Sequence, residues 1–289
     1  MAEKHIDDVT GVETTGHEWD GVRELNNPLP NWWRWIFYAC IVWSVGYFVA
    51  YPAWPLVSSY TKGMLGYSSR AAVAAEVAMA KESQKVHLDK LKKASLQDIR
   101  TEPELLNFAL AGGRSAFNVN CSQCHGSGAQ GAKGYPNLND DEWLWGGTLD
   151  AIHHTITHGV RNADGEQARD SAMPAFLKDE VLEAAQINDV AEFVLALSGQ
   201  KGDAAAAERG KAIFAEQCVS CHGENGQGNA EFGAPALNNG IWLYGGDKET
   251  LVETISYSRS GVMPAWGKIL DPVVVKQLAI YIHSLGGGQ

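Results

Sequence analysis

Positive charge is scarce in this 289-residue chain: 23 Lys and Arg face 34 Asp and Glu, for a formal net charge of −11. Clustered cations are what grip a phosphate backbone, so this balance excludes nucleic acid as the expected partner. Cysteine is scarce too, with five in all, an odd number. Four of them fall into two Cys-x-x-Cys pairs while Cys40 stands alone in an apolar run, which argues against a disulfide framework. Methionine is nearly missing from the second half, where only Met173 and Met263 follow the first Cys pair. Charge of either sign is absent from Trp35 to Tyr60. What remains is 45% hydrophobic and 20% charged. That is ample apolar material for real cores, and at roughly 150 residues per domain the length suggests two domains.

The uncharged stretch is 26 residues long, where a helix needs about 20 to cross an apolar layer of about 30 Å. Trp32, Trp33 and Trp35 mark one end, and Tyr51, Trp54 and Tyr60 the other, as amphipathic rings do at the two faces of a bilayer. The pattern predicts one spanning helix over residues 32–57, ended or kinked by Pro52 and Pro55. A cleaved signal peptide competes with this reading, but its apolar core is usually about 7 to 15 residues behind a short basic leader. Here residues 1–31 form a long acidic leader. Flanking charge does not orient the span, because Arg23 and Arg34 are matched by Lys62 and Arg70. Cys40 reads as a small apolar residue of the span.

Beyond residue 107 the chain repeats itself. Gly113 to Phe117 precede Cys121-Ser122-Gln123-Cys124-His125, and Gly210 to Phe214 precede Cys218-Val219-Ser220-Cys221-His222 at the same offset. Pro136-Asn137-Leu138 matches Pro235-Ala236-Leu237, Trp143 to Gly147 match Trp242 to Gly246, and Met173-Pro174-Ala175-Phe176 matches Met263-Pro264-Ala265-Trp266. Each copy ends in an apolar helical pattern, Val190–Leu197 and Leu278–Leu285. The predicted organisation is a tail (1–31), an anchor (32–57), a linker with a helical segment (58–106) and two tandem units, 107–200 and 204–289.

Cys-x-x-Cys alone suits zinc ribbons and redox sites. A His directly after the second Cys, in both copies, is the attachment signature of a c-type haem, whose vinyl groups take the two thiols while the His meets the iron. Zinc would have to unite the two pairs and leave both His idle. The expected cofactors are therefore two covalently bound haem c groups, on Cys121 and Cys124 and on Cys218 and Cys221. Porphyrin also supplies apolar core that units this short lack.

The far axial ligand needs a soft or imidazole donor. Met173 and Met263, each before a Pro at matching repeat positions, are the candidates beside His125 and His222. His153, His154 and His158 are rivals, but Val252 and Glu253 stand at two of the equivalent places in the second copy. His/Met ligation fills both axial positions, which suits electron transfer rather than chemistry at the iron. Phe117 and Phe214 are expected near the porphyrin. Gly113 and Gly210 would let their helices cross the terminal ones closely, against Phe193 or Tyr281. Trp143, Trp242, Arg161 and Arg259 are candidate propionate donors. The charged insertion Arg161 to Ser171 has no counterpart in the second copy; it reads as a docking surface or a tolerated insertion. Between anchor and first unit, Ala71 to Ala80 and then Lys81, Lys85, Lys90, Lys92 and Lys93 read as a helix resting on lipid or a neighbouring subunit, or as a solvated spacer.

With the tract Glu24 to Trp33 leading into the span, these features resemble the dihaem subunit of cbb3-type cytochrome c oxidases, the CcoP/FixP family. The resemblance covers nearly the whole chain, with one N-terminal span where some members have two. It implies an all-α protein with one transmembrane helix and two class I cytochrome c domains. By position, it pairs His125 with Met173 and His222 with Met263. It further implies an electron-transfer subunit without catalysis of its own. Electrons would come from a cytochrome c or bc-type complex and pass through a monohaem cytochrome c subunit towards the haem-copper subunit that reduces oxygen and pumps protons. The chain would sit in the lipid of the bacterial inner membrane with its N-terminus cytoplasmic and its haem domains periplasmic, and the acidic domains would steer a basic donor. A free-standing anchored dihaem shuttle is the alternative from the same residues.

Overall fold

A 20-residue helix α1, Asn31–Ala50, has no buried residue. At 1.5 Å per residue it is about 30 Å long, the thickness of a bilayer's apolar core. Trp35 and Trp43 are 74% and 76% exposed; an apolar surface this open suits lipid, not water. The computed structural model describes residues 5–163, 165, 167–286 and 288, and these divide into two compact units, 1–83 and 84–289.

In the first unit α1 stops at Ala50 because Tyr51 turns extended and Pro52 cannot continue the ladder. The helix is thus shorter than the predicted 32–57. The chain folds back on its end, Met64 N–H donating to Val49 O (2.9 Å) and Leu65 N–H to Ala50 O (3.0 Å). Upstream, the expected tail holds a small antiparallel hairpin of β1 (Thr14–Trp19) and β2 (Val22–Leu25). Asp20 and Gly21 both have positive φ, 48° and 85°, the two-residue turn whose twist matches a hairpin. Among the described residues, the regular structure apart from this hairpin and isolated bridges is helical.

Helix α2, Ser69–Lys93, ends in the second unit. Its last turns belong to a core: Leu91 is fully buried and Leu88 packs beside it. Lys276 caps the helix end, its Nζ donating to the carbonyls of Leu91 (3.3 Å), Lys92 (3.2 Å) and Ala94 (2.6 Å). This end is therefore docked on a core along one face rather than standing as a free spacer, with its lysines exposed on the other faces. Next come α3 (Leu96–Thr101), opened by a Ser95/Asp98 capping box, and α4 (Pro103–Asn120), opened by Pro at its first position. The order continues with α5 (Ser122–His125), α6 (Leu149–His158), α7 (Ala184–Leu197), α8 (Ala204–Gln217), α9 (Val219–His222), α10 (Lys248–Tyr257) and α11 (Pro272–His283).

The packing crosses the repeats. The first core gathers Leu105, Phe117, Ile152 and Ile156 from α4 and α6 with Leu278 and Ile282 from α11. The second gathers Phe214 and Leu251 from α8 and α10 with Val190 and Val194 from α7. Phe117 meets Tyr281 at 5.6 Å between ring centroids, and Phe193 meets Phe214 at 5.1 Å. Each repeat's opening helix thus packs on the closing helix of the other. The two glycines permit the crossings: a Cβ on Gly113 would strike the Gln277 carbonyl and Tyr281, and one on Gly210 the Asp189 carbonyl. The units 107–200 and 204–289 describe the repeat in sequence, while the packed cores exchange their last third.

Candidate haem sites

Each Cys-x-x-Cys-His segment forms one tight turn of helix at the end of a long one. Cys121 N–H donates to Phe117 O (2.8 Å) and His125 N–H to Cys121 O (3.0 Å); Cys218 and His222 repeat this with Phe214 O and Cys218 O, both at 2.9 Å. The turn brings both thiols and the imidazole of each motif to one cavity. Burial, with the neighbouring Cys of each pair adding to it, pushes the Cys121 and Cys218 thiols up to about 11. They are protonated at neutral pH.

His125 Nδ1 lies 2.9 Å from Pro136 O, and His222 Nδ1 lies 2.9 Å from Pro235 O. A carbonyl can only accept, so Nδ1 carries the proton and Nε2 keeps its lone pair for a metal. Burial lowers the pKa of both imidazoles, against an opposing pull from the carbonyl, which favours the neutral form a metal needs. The repeated Pro136 and Pro235 mark this support in the sequence, although the repeat alone does not disclose its role.

The methionines lie opposite to the expected pairing. Met263 lines the cavity of Cys121, Cys124 and His125, together with Trp143, Ile156, Trp266 and Ile282. Met173 lines the cavity of Cys218, Cys221 and His222, together with Val194, Phe214 and Trp242. The fold thus brings Met263 to His125 and Met173 to His222, correcting the pairing by position. Backbone pairing fixes the exchange: Val160, just after α6, makes two 3.0 Å hydrogen bonds with Met263, and Phe176 N–H donates to Ile255 O of α10 (3.1 Å).

Of the other expected residues, Phe214 lines its cavity, whereas Phe117 lies in the core against Tyr281. Trp143 and Trp242 each line one cavity. Arg259 lines the second and stacks over Tyr244 (4.7 Å), with donors committed to Thr254, to Glu253 and to the Thr250 carbonyl. The insertion Arg161 to Ser171 includes Asp164 and Glu166, which lie outside the described residues; its rest is tied down. Gln167 O meets His154 Nε2 at 3.1 Å, and Arg169 lies over Trp145 at 5.6 Å. His154 and His153 stay on α6 and line neither cavity.

The fit to porphyrin rests on chemistry: a mainly apolar cavity, two thiols, one oriented neutral imidazole and one thioether, in both sites. The two Cys pairs occupy different cavities, so they cannot share a zinc ion.

A helical protein with two such cavities behind an apolar helix is a c-type cytochrome. Residues 11–58 match the family described as the N-terminal domain of cytochrome oxidase-cbb3, FixP, and residues 108–194 and 205–282 each match "Cytochrome C oxidase, cbb3-type, subunit III". The chain is 56% identical over 295 residues to the cbb3-type cytochrome c oxidase subunit CcoP of Azospirillum brasilense, covering 100% of both. It is 55% identical over 285 residues to the FixP subunit of Azorhizobium caulinodans, covering 98% of this chain and 96% of that one. Against FixP of Bradyrhizobium diazoefficiens the identity is 54% over 287 residues, with 98% of each covered. The chain belongs to the CcoP/FixP family of cbb3-type cytochrome c oxidase subunits.

Proposed function

We propose that this chain is the electron-transfer subunit of a cbb3-type oxidase, holding two haem c groups and performing no oxygen chemistry itself. Cys121 and Cys124, and Cys218 and Cys221, would anchor the groups covalently, and His125 with Met263, and His222 with Met173, would supply the iron ligands. When bound, haem supplies a one-electron iron couple, and His/Met ligation sets it high in potential. The protein's part is to present the neutral Nε2 of each His, to hold a methionine thioether in the same cavity and to line that cavity with apolar side chains. A His and a Met engaged at each iron would leave oxygen no place to bind. The carrying observation is that each cavity contains one complete Cys-x-x-Cys-His motif and one methionine.

The partners this reading implies are the haem-copper and monohaem cytochrome c subunits of the oxidase, and a cytochrome c or bc-type complex as donor. Helix α1 anchors the chain in lipid of the bacterial inner membrane. Haem c attachment on the periplasmic side puts the haem domains there and the N-terminus in the cytoplasm. Purification in mild detergent tests the assignment: the chain should leave the membrane in a complex with haem b and copper. Recovery of the chain alone with its haem c would overturn the oxidase role in favour of a free-standing shuttle.

A further inference from the structure

Three residues line both cavities: Leu144, Leu243 and Arg161. Leu144 and Leu243 occupy the same position of the two repeats, within Trp143-Leu144-Trp145-Gly146-Gly147 and Trp242-Leu243-Tyr244-Gly245-Gly246. They mark where the two halves meet. Gly134 N–H donating to Leu243 O (2.8 Å) and the Asn239–Glu142 hydrogen bond join the halves around them.

Arg161 has no such twin, since the second copy has Ser260 where the spacing from the Trp-Leu segments puts its equivalent. Its guanidinium nevertheless treats the halves alike. Nε donates to Gly261 O at 2.8 Å and Nη1 to Ser171 O at 2.8 Å. Gly261 stands two residues before Met263, and Ser171 two residues before Met173. One planar cation therefore grips the same point of both methionine loops, with the rigid fork that arginine has and lysine lacks. Its own backbone is fixed beside the first loop, because Val160 carries the pair of hydrogen bonds to Met263 and Arg161 N–H donates to Arg169 O (2.6 Å).

We infer that Arg161 is a positioning residue shared by both metal sites, holding the two methionine loops together so that the sites are tuned as a pair. This deepens the proposed function and rests on its ligand assignment. Two effects act in one direction. Loosening either loop weakens the thioether bond that keeps the potential high. Removing a cation beside both cavities also favours the more positive, oxidised iron.

The test is Arg161→Gln in the full chain within its complex, followed by redox titration of each haem c and by the far-red absorption band of methionine-ligated ferric haem. The reduction equilibrium should fall about tenfold at both sites, about 59 mV for a one-electron couple, with both bands weakened. Arg259→Gln, a residue of the second cavity alone, should move one site only. Arg161→Lys keeps the charge without the fork, so both sites should shift together, by less than in Arg161→Gln. If Arg161→Gln does not accumulate, the paired shift in Arg161→Lys carries the test. A shift confined to one site, or none, in the accumulated variant overturns the inference while leaving the ligand assignment standing. A wild-type protein with no far-red band would instead overturn the assignment itself.

Discussion

Gly159→Ala tests the exchanged loop most economically. Gly159 closes α6 with φ 77° and ψ −175°, a region essentially reserved for glycine, where another residue costs of order 1–3 kcal/mol. Its Cβ would also strike the Met263 carbonyl and come within 2.9 Å of Ala265 N and Pro264 C. Carbon atoms normally sit about 3.5–4.0 Å apart, and all three neighbours are backbone, which cannot rotate away. Overpacking of this kind costs typically about 1–3 kcal/mol. Taking about 3 kcal/mol for both effects, at 1.4 kcal/mol per tenfold, Met263 should be displaced about a hundredfold more easily. Imidazole titration of the oxidised protein, followed at the far-red band, reads this directly. The variant should show one site of wild-type affinity for imidazole and one about a hundredfold tighter. Two unchanged sites would refute the contact between Gly159 and the Met263 turn, and with it the reasoning on how the loop is held.

The helix crossings make a second prediction: Gly210→Ala forces a methyl into the Asp189 carbonyl, so a change worth about 1 kcal/mol in favour of helix elsewhere should here destabilise by about 2 kcal/mol net. A lower melting midpoint checks it, and an unchanged or raised one contradicts it. A third concerns acid stability. Glu192 is buried; it pairs with Lys248 (2.6 Å) and accepts from Asp203 N–H (2.8 Å), and these hold its carboxyl below the usual range, the lysine contact foremost. A depressed carboxylate stabilises the fold above its unfolded pKa of about 4.3, and that contribution fades as pH falls through the lower folded value. Wild type should therefore out-melt Glu192→Gln at pH 7 and lose that advantage in the acid range below about pH 4; an equal gap at both pH values would exclude the linkage.

The chemistry of the sites was legible because it is local. A Cys-x-x-Cys-His motif carries its own geometry within one helical turn, and the Met-Pro repeats singled out, without any fold, the two methionines that line the cavities. Pro52 stopped α1 where proline must. Which methionine faces which histidine was not legible, because the two repeats are alike: Gly113 against Tyr281 and Gly113 against Phe193 look the same in a sequence, and only packing chooses between them. The bridging place of Arg161 depends on that exchange and was equally hidden, so it read as one half of a pair of propionate donors. The hairpin at Asp20-Gly21 had a readable turn signal, masked by the acidic, weakly patterned strands around it. Leu88 and Leu91 sit in a Lys-rich segment whose composition points to solvent, yet their spacing puts them on one face of α2.

The exchange of methionines between repeats is decided by a chain carrying one covalent haem. In Cys218→Ser/Cys221→Ser protein, with the group on Cys121 and Cys124 alone, Met263→Ala should abolish the far-red band and Met173→Ala should leave it. Loss of that band on Met173→Ala, with Met263→Ala silent, would contradict the account.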